Sequence, residues 1–176
     1  YLIAIAAGNL EGRKIGPRST VWSEPGETLD MAEKDFEQVE DLLKKAENLM
    51  GPYIWSNYDI LVMPDSFPYG GMENPCLTFA TPTIVTGDKS SINVIAHEIM
   101  HSWTGNLITN LNWEHFWLNE GHTRYLEAKM LELLHGYDYC SMFTVNGVSE
   151  LLDTVKTMNS EGTYELTCLV TDWPLV

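Results

Sequence analysis

The chain has 176 residues, 44% of them hydrophobic, enough to bury a core in one globular domain or a large piece of one. Its formal net charge is -15 and its ten lysines and arginines are scattered, which argues against a nucleic-acid partner. No apolar stretch approaches the roughly 18 residues that a membrane span requires. The three cysteines, Cys76, Cys140 and Cys168, are odd in number and widely spaced. That pattern is neither a disulfide framework nor a CxxC metal pair. Buried, reduced thiols and a cytoplasmic location are therefore expected.

The apolar run Tyr1–Ala7 reads as a buried strand. It is too short to cross a membrane and lacks the basic flank of a signal peptide. The chain starts without an initiator Met and stops abruptly at Val176, as an excerpt from a longer protein would. Arg13–Glu24 reads as loop and strand, with turn signals at Gly16-Pro17 and Pro25-Gly26. Asp30 offers an N-cap with Glu33 three residues on, and Phe36, Val39, Leu43, Ala46 and Met50 follow at helical spacing. Glu40/Lys44 and Asp41/Lys45 pair on the outer face, and Gly51-Pro52 ends this helix. Tyr58–Met63 reads as a strand bounded by Pro64. Pro68–Gly71 is a turn or a tight approach, and Cys76–Val85 is extended with an interruption at Pro82. From Ser91 onward the chain is predicted to be helical. The fold class expected is α+β, with a β-rich first half, a helical second half and a cleft between them.

The segment His97-Glu98-Ile99-Met100-His101 is an HExxH sequence. On an α-helix the two histidines lie about 40° and one turn apart, so their imidazoles can meet one zinc ion. Ile92, Ile95, Ala96, Ile99 and Trp103 form an apolar stripe nearly opposite, so the helix can bury one face and show the histidines to a cleft. Eighteen residues separate His101 from Glu120, near the start of a second predicted helix over Trp117–His135. Two histidines and a glutamate leave the fourth position of a tetrahedral zinc open, which is a catalytic rather than a structural arrangement. Glu127, seven residues beyond Glu120, could bond the outer nitrogen of His97 or be an ordinary surface carboxylate; Asn119 could serve His101 in the same way. His115, His122 and His135 read as polar surface or core histidines.

Gly70-Gly71-Met72-Glu73-Asn74-Pro75 precedes the extended segment. The glycines let another backbone come close, so a peptide could add there as a strand with Glu73 binding its free α-ammonium group. On its own a Gly-Gly turn beside an exposed glutamate is the simpler reading. Beside HExxH and Glu120, the anchoring role is preferred. Most of the acidity reads as solvated surface, although an acidic cleft would attract cationic peptide N-termini.

Together GGMENP, HEIMHSWTGN and WEHFWLNEG resemble the gluzincin zinc aminopeptidases. PDSFPYGGMENPCLTFATPTIVTGDKS, HSWTGNLITNLNWEHFWLNEGHTRYLE and IGPRSTVWSEP are similar to the leukotriene A4 hydrolase branch of that family, with aminopeptidase B the next nearest. The likeness runs from Tyr1 to about Leu133. It implies a thermolysin-like zinc metallopeptidase catalytic domain over residues 9–176, incomplete at its C-terminal end, with residues 1–8 closing a preceding β-domain. It implies one Zn2+ on His97, His101 and Glu120, Glu98 as general base, and Glu73 as amine anchor within a substrate-binding set Gly70, Gly71, Met72, Glu73 and Asn74. The family's oxyanion-stabilising tyrosine and carboxylate-binding arginine are expected beyond Val176. Expected partners are peptides with a free N-terminus and, in this branch, a lipid epoxide. A zinc-binding module without catalysis is the reading of another class; the retained Glu98 and open ligand position speak against it.

Overall fold

The computed structural model describes residues 1–160. The five strands among the described residues all fall in the first half: β1 (Glu11–Gly16), β2 (Ser19–Ser23), β3 (Asp59–Val62), β4 (Gly71–Met72) and β5 (Leu77–Ala80). They form one mixed sheet in the order β1-β2-β3-β5-β4. The β1–β2 and β4–β5 pairs are antiparallel, whereas β2–β3 and β3–β5 are parallel. Ile60, Leu61 and Val62 of central β3 are all buried, as a strand covered on both faces requires. Asp59 fixes its register, accepting from the Thr20 N–H at 2.9 Å and from Trp22 Nε1 at 3.1 Å.

Among the described residues five α-helices complete the α+β fold: α1 (Glu27–Asp35), α2 (Val39–Met50), α3 (Ile92–His101), α4 (Trp117–His135) and α5 (Tyr137–Ser160). α1 and α2 pack on the β1–β2 side, α3 lies among α2, α4 and β4, and α5 packs on α4. The core between sheet and helices contains Val21, Leu29, Phe36, Leu42, Ile60, Ile95, Ile99 and Met130, all at most 1% exposed. Among the described residues no helix is long and apolar enough to cross a membrane.

Three local expectations need correction. Tyr1–Ala7 is not a strand and is largely exposed, with Ile3 and Ile5 more than nine-tenths accessible. A strand needs a partner, and no described strand pairs with this segment. The helix predicted from Asp30 is two helices. Asp30 lies inside α1, whose N-cap is Gly26. The break after Asp35 frees that carboxylate to accept from the Thr86 and Gly87 N–H groups at 2.8 and 2.7 Å, while Phe36 and Val39 both reach the core. Cys76 is exposed rather than buried, because it sits at a left-handed turn (φ 68°) leading into β5. Cys140 is partly exposed, both thiols are free, and Cys168 lies outside the described residues.

Arg18, in the turn joining β1 and β2, ties the sheet to α2. Its Nη1 and Nη2 donate to Glu47 at 3.0 and 2.8 Å, and its Nε donates to Glu40 at 3.3 Å. Glu47 also accepts from the Tyr53 N–H at 3.1 Å. The Arg18 bonds hold the Glu47 carboxyl below its ordinary range against the opposing effect of burial. A depressed carboxyl stabilises the fold fully above its ordinary value, 4.5, and loses that contribution as pH falls through the lower folded value. Glu47→Gln is therefore expected to cost about 1 kcal/mol at neutral pH. Urea midpoints measured from pH 7 down to pH 3 should show the two proteins converging below pH 4.5; a wild-type advantage undiminished at the acid end would refute the role.

Candidate active site

α3 is sided as its sequence requires. Ile92, Ile95, Ala96 and Ile99 are buried in the core, followed by Trp103 in the next turn of chain. His97, Glu98 and His101 line a cleft of about 290 Å³ whose other walls come from Gly70, Gly71 and Glu73 and from Glu120, Arg124 and Glu127 of α4. α3 and α4 pack directly against each other, which is what sets Glu120 opposite the two histidines.

The three expected ligands converge. His97 Nε2 and His101 Nε2 are 3.1 Å apart, and the Glu120 carboxylate lies 3.4 Å from the first and 3.6 Å from the second. A tetrahedral zinc with bonds of about 2.0–2.1 Å needs its ligand atoms about 3.3–3.4 Å apart, so this donor set fits such an ion in both chemistry and spacing. The protein's own charges show the same demand for a cation. Burial opposes a charged His97, yet hydrogen bonds to Glu120 and Glu127 overcome it and push the imidazole up to about 10. For His101 burial also opposes the charge, and Glu120 again raises it. Burial would raise Glu120, but the two histidines bring it down to about 2. The cleft thus gathers four carboxylates, Glu73, Glu98, Glu120 and Glu127, against a single arginine.

Each histidine is steadied from behind. His97 Nδ1 meets Glu127 Oε2 at 3.1 Å; Glu127 is wholly buried and also accepts from Asn93 Nδ2 at 3.2 Å and Arg124 Nη1 at 2.7 Å. His101 Nδ1 does not bond Asn119. It meets the Thr104 carbonyl at 2.8 Å and Thr123 Oγ1 at 3.1 Å. The loop directly after α3 turns back beneath His101 and brings its own carbonyl nearer than a side chain of the next helix can come. Gly105 permits that turn, with φ 134° and so little room that an added Cβ would lie 3.1 Å from His101 Nδ1. Asn119 instead accepts from the Asn110 N–H at 3.2 Å and donates to the Tyr1 hydroxyl at 3.1 Å.

The sequence reading gave no role in the site to Asn93, Thr104, Thr123 or Arg124. Part of the signal was there: Asn93 is four residues before His97, and Asn119, Thr123 and Glu127 repeat at four on α4. All three of those α4 residues are buried, so that helix turns a polar row inward toward the site. His115, His122 and His135 are exposed and lie away from the cleft.

Glu98 is 5% exposed and, among the described residues, its Oε2 has no hydrogen-bond partner. Burial pushes its carboxyl up to about 7, against the pull of His101 and His97. Its place depends on Gly71, where an added Cβ would lie 2.2 Å from Glu98 Oε1. The close approach expected of the Gly-Gly pair is therefore made, within this chain, by the Glu98 carboxylate. Glu73 is 6% exposed, rather than at the surface of a turn, and one of its carboxylate oxygens can share a ligand cluster with Glu98 and His101. The Tyr1 hydroxyl donates to Glu73 Oε1 at 3.2 Å, and the Tyr1 ring packs on Trp113. Asn74 points the other way and donates to the Leu2 carbonyl at 2.9 Å. Gly71 and Met72 form edge strand β4, paired on one side with Ala80 and Phe79. A larger cavity of about 630 Å³ lies beneath Ile5–Gly8 beside β2 and β3, but among the described residues only Glu24 and Asp65 of its lining are ionisable.

The peptidase family M1 domain pattern matches residues 29–167. Leukotriene A-4 hydrolase of Xenopus laevis is 55% identical over 97% of this chain and 27% of its own length. Leucine aminopeptidase 2 of Yarrowia lipolytica is 50% identical over 98% of the chain and likewise 27% of its own length. The chain thus spans about a quarter of the curated relatives it matches. A solved yeast LTA4 hydrolase in complex with bestatin aligns at a TM-score of 0.83 and 49% identity, over 86% of this chain and 24% of that one. A match over most of the chain, joined to a fold shared at nearly half the residues, leaves one assignment: the chain belongs to peptidase family M1.

Proposed function

We propose that the protein is a zinc-dependent aminopeptidase, removing the N-terminal residue of peptides at one Zn2+ held by His97, His101 and Glu120. The observation that carries this reading is the spacing of those ligand atoms, 3.1–3.6 Å, beside a buried carboxylate oxygen, Glu98 Oε2, that has no partner. Held there, zinc would supply a Lewis acid that polarises a carbonyl and acidifies water. Glu98 serves as general base. Its Oε2 takes a proton from the attacking water and returns it to the departing amine, a task suited to a carboxyl raised to about 7.

Gly70, Gly71 and Met72 offer the free edge of β4, to which a peptide backbone can add as a further strand. Glu73 takes the α-ammonium group and so fixes cleavage one residue from the N-terminus. Asn74 acts indirectly, by tying the turn after Glu73 to the Leu2 carbonyl. The same reading keeps residues 1–8 as the end of a preceding β-domain and residues 9–176 as part of the catalytic domain. The exposed Ile3 and Ile5 support that division, as apolar side chains suited to being covered. It also keeps a cytoplasmic location, on the strength of the free thiols of Cys76 and Cys140. Hydrolysis of a lipid epoxide by the same centre is a second reading, favoured by the name of the Xenopus laevis relative. Its acyl chain would need an apolar pocket beyond the charged cleft described here. Peptidase and epoxide-hydrolysis assays, run with and without a chelator, test both readings together.

Glu120→Ala leaves two protein ligands and is expected to lose stoichiometric zinc; undiminished metal content in that variant would remove Glu120 from the ligand set. Glu98→Gln should keep its zinc and lose at least about a hundredfold in peptide turnover, and near-normal turnover would exclude the base role. Glu73→Gln loses a charge-assisted contact worth about 1.5–3 kcal/mol. It should therefore slow peptides with a free amine far more than N-blocked ones, whereas an equal loss on both would mark Glu73 as a structural residue of its turn.

A further inference from the structure

We infer that Arg124 is a positioning residue for the metal centre: it holds the Glu127 carboxylate, which in turn sets the ring of His97 so that Nε2 faces His101 and Glu120. The inference rests on the metal-site reading above. Glu127 is 0% exposed, and a carboxylate so placed must be compensated by neighbours. Three groups bond it: Asn93 on Oε1 at 3.2 Å, and His97 Nδ1 and Arg124 Nη1 on Oε2 at 3.1 and 2.7 Å. Asn93 carries no charge, and His97 must be neutral to act as a ligand. Arg124 is then the formal cation on this carboxylate.

Arg124 is itself held in place. Its guanidinium lies 4.4 Å from the centre of the Phe143 ring, and Nη2 is 3.8 Å from Glu150. Both partners belong to α5, so a helix that contributes no lining residue to the cleft reaches the ligand through Arg124 and Glu127. An ion pair between two exposed side chains contributes little. This pair differs because its acidic member is wholly buried and bonded to a ligand. Without the arginine, Glu127 loses its shortest bond and is held only by Asn93 and His97, so the orientation that it imposes on the His97 ring slackens.

The test is a zinc titration against a competing chelator, with folding followed by circular dichroism and thermal midpoint. Arg124→Met, which keeps the apolar stem, is expected to raise the zinc Kd about tenfold or more. Arg124→Gln is a second neutral variant, to be used if the first does not fold. Arg124→Lys restores a charge that can reach Oε2 with one donor and should recover most of the loss. A Kd in the neutral variants within about twofold of wild type, or a lysine variant no better than the neutral ones, overturns the inference, given the tenfold scale of such effects. Failure of the metal reading looks different: wild type would then bind no zinc, or Glu120→Ala would bind it as tightly as wild type.

Discussion

His97 is gripped from two sides. Glu127 holds its Nδ1 from beneath α3, and Glu120 faces its Nε2 from across the cleft. Both carboxylates come from α4, two turns apart on nearly one face, so a single helix sets the orientation of the ring at both nitrogens. The geometry survives only if α3 and α4 keep one registration, and the core enforces it. Ile95 and Ile99 of α3 and Met130 of α4 are fully buried in the same apolar cluster, so sliding one helix along the other would open voids as well as separate Glu120 from the two histidines.

The sheet contributes the opposite wall. β4 is short and at the edge, but it pairs antiparallel with β5, which runs parallel to the largely buried strand β3. What that rigidity secures is a narrow gap between β4 and α3, into which Glu98 fits with no room for a side chain at Gly71. Four acidic side chains are thereby packed into one small cleft. Their mutual repulsion favours a cation in the cleft, the charge that the proposed zinc would supply.

The HExxH and Glu120 pattern was legible because helical spacing alone brings the two histidines together, and the second helix was predicted at the bounds it has, Trp117–His135. The partner of His97 was within reach of the same argument, since Glu127 follows from periodicity. The partner of His101 was not: its nitrogen meets a backbone carbonyl, and any residue could have supplied one at position 104. Arg124 was invisible for a related reason, because an arginine on a helix is unremarkable until its neighbour is known to be buried. Tyr1–Ala7 misled because apolarity was read as burial, although burial depends on what lies alongside. The continuous helix predicted across Asp35 failed on contacts about fifty residues distant, the turn at Thr86 and Gly87. Interactions of that range leave no mark in local spacing.

The absent side chain at Gly71 has a mechanical meaning. The main chain that an incoming peptide would pair with is also the surface against which Glu98 rests. If substrates dock on β4 as proposed, pairing pulls on the support of the proton acceptor, and the two cannot be adjusted independently. A peptide that seats badly along the strand would then be penalised in turnover as well as in binding, since the same displacement that weakens its hold moves the carboxylate off line. Selectivity in a cleft so used would reside in its backbone, where a single methyl group at Gly71 would be enough to disturb it.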